Sequence, residues 1–95
     1  MQVVWAAAAA ADRADIFEHI SRDDPLAAIR MDEQFAEAAA RLAMHPHLGK
    51  VGLITGTREL IPHPSYRLVY EHDNHVVWIL ALVHTAQLWP HRRPE

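Results

Sequence analysis

Arg58, Arg67, His63 and His84 are the side chains in this sequence best suited to chemistry, and they sit among apolar and aromatic residues in its second half. A planar guanidinium fits a phosphate through paired N–H groups. An imidazole takes or gives a proton near neutral pH. Metal-free RNA cleavage needs a group to take the 2′-OH proton, cations to hold the charge on phosphorus and an acid for the leaving oxygen. Each residue also has a plainer use. Arg67 has Glu59 and Glu71 as ion-pair partners, and His84 reads equally as a strand-end histidine bonded to backbone. Arg58 reads as a solvated strand arginine, and His63 as a loop residue held between Pro62 and Pro64. His45-Pro46-His47, His72 and His75 add imidazoles, but their spacing fits no zinc pattern and there is no cysteine. No metal and no cofactor is expected.

The elements that carry these residues follow from periodicity. Gln2 to Trp5 is a short β-prone run. Ala6 to Arg22 is alanine-rich and reads as a helix, with Ile16 and Ile20 on one face. Asp24-Pro25 is a start signal, a capping carboxylate before a first-turn proline. From there Ala28, Met31, Phe35, Ala38 and Leu42 step by three or four, one apolar stripe over Pro25–Ala43. His45-Pro46-His47 ends that helix, and a glycine-bearing loop runs to Gly56. The period then changes to two. Strands are expected at 57–61, 66–71 and 76–84, with Pro62-His63-Pro64 as a break and Asp73-Asn74 as a turn. On 66–71, Tyr66, Leu68 and Tyr70 share one face, and Arg67 and Val69 share the other. The expected fold is α+β in the order β-α-α-β-β-β: an N-terminal strand, then an antiparallel helical hairpin on one face of an antiparallel sheet. Residues 1–95 form one domain, with 86–95 as a short tail.

Composition narrows the function classes. The 95 residues are half apolar, too apolar for a disordered chain. The longest apolar runs, 6–11 and 76–83, fall far short of the ~20 residues of a spanning helix, so no membrane partner is expected. No export signal is visible, and the lack of cysteine fits a reducing cytoplasm. Residues 1–47 hold eight acidic residues against four arginines, a balance of −4; residues 48–95 hold five basic against four acidic, +1. A nucleic-acid binder usually shows a clear basic excess, which is missing here.

Several runs resemble a known family. These are Val3-Val4-Trp5 with Ala11-Asp12, Asp24-Pro25 with Ala28, and Pro46 with Leu48-Gly49. The more specific ones are Gly56-Thr57-Arg58-Glu59-Leu60, Tyr66-Arg67-Leu68-Val69-Tyr70, Ile79-Leu80, His84 and Trp89-Pro90. In order and spacing they are similar to the RelE/ParE toxins of bacterial type II toxin–antitoxin modules. The resemblance implies a cytoplasmic toxin held in a hetero-oligomer by a cognate antitoxin. It also implies one of two targets: DNA gyrase for ParE-like members, or messenger RNA on the ribosome for RelE-like members. Arg67 and His84 match an arginine and a histidine of ribonuclease members, and would be the catalytic pair on the second reading. Ala81 and Gln87 stand where many relatives carry arginines, and Lys50 is the sole lysine. Those departures favour the ParE-like, gyrase-inhibiting reading, with the ribosome-dependent mRNA endoribonuclease as the alternative. Target-contact candidates are Arg58, His63, Arg67, His84 and Trp89. Met31, Phe35 and Leu42 are candidates for the antitoxin groove.

Overall fold

The computed structural model describes residues 1–86, so Trp89, Gln87 and most of the expected tail lie outside the described residues. The first strand, β1, is Gln2–Trp5, followed by helix α1 (Ala7–Ser21) and helix α2 (Pro25–Met44). Asp24 caps α2 by accepting from the Ala27 N–H at 3.1 Å, with Pro25 in the first turn. The residue before a proline disfavours helical geometry, and α2 ends at Met44 with His45, before Pro46, as its non-helical C-cap. Arg13 of α1 grips Asp32 of α2 through both carboxylate oxygens, at 2.6 and 2.9 Å, and its guanidinium lies 4.7 Å over the Trp5 ring. The hairpin is thereby tied to the first strand. No helix among the described residues is long and apolar enough to cross a membrane.

Four more strands complete the sheet: β2 (Lys50–Val51), β3 (Arg58–His63), β4 (Tyr66–His72) and β5 (Val76–His84), in spatial order β1-β5-β4-β3-β2. β2 is a two-residue strand inside the segment read as a glycine loop. The pairs β2–β3, β3–β4 and β4–β5 are antiparallel, whereas β1 runs parallel to β5. The expected all-antiparallel sheet is therefore a mixed one. The helical hairpin carries the chain from β1 across to β2 at the far edge, and β3 and β4 bring it back to β5, so the parallel pair is joined by a long connection.

Both helices pack on one face of the sheet. Phe35, Ala38 and Leu42 of α2 and Ala9 of α1 meet Leu68, Tyr70, Val77, Ile79 and Leu82 in the main core. Val69, Ala81 and Val83 form a smaller buried cluster on the opposite face. Two irregularities reset the alternation. Ile79 pairs with Tyr70 but Ala81 pairs with Val69, which leaves Leu80 as an extra residue in β5. Leu60 pairs with Leu68 but His63 pairs with Tyr66, so β3 carries an extra residue around Ile61-Pro62. A bulge is where a strand tolerates proline. That is why β3 runs through Pro62 to His63, where a break was expected.

Candidate functional site

Arg67 lies on the face turned away from the helices. Its Nη1 donates to Glu59 Oε1 at 3.2 Å, and both side chains are largely buried, 14% and 6% exposed. The other Glu59 oxygen accepts the Leu53 N–H at 3.4 Å. The loop between β2 and β3 folds against this carboxylate. Gly52 N donates to Thr57 O, and Thr57 Oγ1 donates to Ile54 O at 2.6 Å. Of the two acidic partners open to Arg67 from sequence, Glu59 is the one in contact. Arg58 does not join Arg67. It pairs in register with Tyr70, on the helix side, and its Nη1 donates to Gly49 O at 2.8 Å.

His84 lies on the helix side of the sheet, opposite Arg67. Counted straight on from Ile79, alternation would set it beside Arg67; the Leu80 bulge turns it over. The β3 bulge does the same for His63. As a result His63, Tyr66 and His84 occupy one register position across three strands. Tyr66 is 6.3 Å from the His63 ring, 5.8 Å from the His84 ring and 5.6 Å from Phe35. Ser65 N–H donates to His63 Nδ1 and Ala86 N–H donates to His84 Nδ1, at 3.0 and 3.1 Å. An accepting Nδ1 puts the ring proton of a neutral imidazole on Nε2. The row thus holds two imidazoles in one tautomer beside a phenol. Sequence reasoning missed Tyr66 as its centre. The available signal was its place on the apolar face with Leu68 and Tyr70.

Beside the row, a groove of about 570 Å³ opens between α1 and the end of β5, lined by Asp12, Asp15, Ile16, His19, Tyr66, Leu82, Val83 and His84. Asp12 Oδ2 accepts the Leu82 N–H at 3.0 Å, at an edge of β5 that β1 no longer covers. Carboxylates here oppose a phosphate backbone. Phe35 and Leu42 are buried in the core and Met31 is half-buried, so only Met31 of that stripe reaches the surface. At the far end of the sheet the Tyr70 hydroxyl donates to Pro46 O at 2.7 Å and accepts from Gly49 N at 2.9 Å. Burial pushes this phenol above its ordinary value of 10.0, partly opposed by the Gly49 hydrogen bond and the Arg58 charge. His47 and His72 meet edge to face at 4.8 Å, but no group of three or more metal-ligating side chains converges among the described residues.

Residues 3–89 match the model of the family described as ParE toxin of type II toxin–antitoxin system, parDE. Toxin RelE2 of Caulobacter vibrioides is 38% identical over 87 residues, covering 92% of this chain and 98% of that protein. Among solved structures, the chromosomal ParDE TA system from P. aeruginosa superposes with a TM-score of 0.76 at 20% identity, over 88% of this chain and 95% of that one. The YoeB/ParE toxin from Agrobacterium tumefaciens gives 0.61 at 18% identity, over 88% and 98%.

Proposed function

This chain belongs to the RelE/ParE family of type II toxins, and from that membership we propose that it acts as a ParE-like toxin. It binds DNA gyrase, stalls replication and is neutralised by a cognate antitoxin. The observation that carries this reading is the Arg67–Glu59 pair. A ribonuclease of this kind needs cations preorganised toward phosphate, and losing one such donor typically costs ~10²–10³ in rate. Here the arginine that would serve is joined to a buried carboxylate, and His84 lies across the sheet from it. Ala81 stands where many relatives carry an arginine and Lys50 is the sole lysine, so little charge among the described residues is left to replace it. Binding a protein target requires none of these groups to act on phosphorus.

The alternative, a ribosome-dependent endoribonuclease, draws support from the His63–Tyr66–His84 row, which offers proton donors on one face. One experiment separates the two. The purified toxin is added to a gyrase supercoiling assay, and ribosome-bound messages are mapped after induction in cells. Loss of supercoiling with intact messages is the expected result. Codon-phased cleavage with normal gyrase activity would install the alternative.

A further inference from the structure

The proposed function makes no use of His45 and His47, which follow α2, or of His72 and His75 at the β4–β5 turn. The fold brings two of them together. His47 and His72 are far apart in sequence, yet their ring centres stand 4.8 Å apart with the planes at 83°. No linear spacing announces this pair, because Tyr70 makes it. The buried Tyr70 hydroxyl holds Pro46 O and the Gly49 N–H, one on either side of His47. Tyr70 and His72 are two apart on β4 and share its face. One anchored phenol therefore sets both the turn that carries His47 and the strand that carries His72. The 3.3 Å contact of His72 Nδ1 with Asp73 O needs an Nδ1–H, since a carbonyl only accepts. In the neutral ring this leaves the Nε2 lone pair for a ligand bond, the way metal-bound histidines are commonly oriented by a carbonyl. His47 is exposed and its ring makes no hydrogen bond among the described residues, so it turns toward an ion at little cost. Two imidazoles that share one ion at about 2.0–2.1 Å, at angles of about 90–120°, have ring centres about 4.5–5.5 Å apart. The observed separation falls inside that range. Asp73 adds a carboxylate beside His72, and the Arg58 guanidinium is turned to Gly49 O.

We propose that His47 and His72 bind one divalent transition-metal ion of the zinc and copper class, with water in its remaining positions. The bound ion clips the turn after α2 to the end of β4. Imidazole nitrogens suit these ions, whereas Mg²⁺ and Ca²⁺ prefer oxygen ligands. The inference is independent of which target the toxin acts on.

The test is a calorimetric titration of the untagged chain with ZnCl₂ and CuCl₂, and with MgCl₂ as control. One Zn²⁺ or Cu²⁺ per chain is expected, Cu²⁺ the tighter, and no Mg²⁺. His47→Ala and His72→Asn should each weaken binding about tenfold or more. His47→Ala changes an exposed position, and the asparagine keeps an N–H for Asp73 O. Thermal melts without metal check that both variants fold. His45→Ala and His75→Ala, beside the pair in sequence but outside it in the fold, should stay within about twofold. Zn²⁺ should raise the Tm of wild type and of these two controls, but not of His47→Ala or His72→Asn. Binding that survives in folded His47→Ala, or that falls as far in His45→Ala or His75→Ala, assigns the ion to other histidines and overturns the inference. A wild-type chain that takes up neither Zn²⁺ nor Cu²⁺ overturns it as well.

Discussion

Arg67 shows how one contact changes what a residue is for. Exposed, its guanidinium would be a phosphate ligand; joined to Glu59 it is part of a buried ion pair that also anchors the Leu53 N–H. Removing one partner of such a pair strands the other charge, which costs about 3–5 kcal/mol when fully buried. Arg67 retains some solvent contact, so Arg67→Met is expected to lower unfolding stability by about 2–4 kcal/mol, read from urea midpoints. Glu59→Gln should cost less, because the amide oxygen still accepts from Leu53. Tyr70 gives a second residue-scale prediction. Tyr70→Phe leaves the Gly49 N–H unmet, a loss of about 1–3 kcal/mol. It also removes a pH dependence. The folded phenol titrates above the unfolded value, so its stabilisation is complete below pH 10.0 and declines as pH rises through the folded value. The gap between wild type and Tyr70→Phe should therefore narrow above pH 10.0.

At the scale of elements, the segment from β2 to β3 is built around close approaches. A Cβ on Gly49 would lie 2.7 Å from Glu59 O and 2.8 Å from the Tyr70 ring, whereas one on Gly56 meets nothing but sits at φ +87°. Gly49→Ala is expected to cost about 1–3 kcal/mol through overpacking against backbone and ring. Gly56→Ala should cost about 1–2 kcal/mol through left-handed strain alone. Amide exchange separates them: Gly49→Ala loosens β2, and Gly56→Ala loosens only the loop tip. These approaches explain what was and was not readable beforehand. Both helices, the Asp24 cap, β1, β4 and β5 followed from local period and capping chemistry, within a residue or two at their ends. The parallel pairing of β1 did not, because strand direction depends on where the hairpin returns the chain. The bulge at Leu80 carries no local signature, and the one at Ile61-Pro62 showed only as a proline that reads equally as a break, yet they decide the faces of His84 and His63. The catalytic pair that the resemblance implied, Arg67 and His84, therefore falls on two residues that the sheet keeps apart.

At the scale of the molecule, the two functional readings place opposite demands on the Arg67–Glu59 pair. A ribonuclease needs the Arg67 charge itself. A gyrase-binding toxin needs only the fold and the surface which that pair supports. Replacing a buried ion pair by groups of similar volume is often neutral or stabilising, because neither charge is then left without its partner. Glu59→Gln with Arg67→Met keeps an acceptor for Leu53 and removes both charges, so the double variant is expected to fold with a melting temperature close to that of wild type. On the ParE-like reading, with Arg67 serving the fold rather than the target contact, it still arrests growth on induction and inhibits supercoiling within about threefold of wild type, under 1 kcal/mol in binding. The single variants then look less toxic only in proportion to their lost stability, and the double variant restores what Arg67→Met alone removes. If the folded double variant is inert while Glu59→Gln alone stays active, the Arg67 charge is the working part and the ribonuclease reading takes its place.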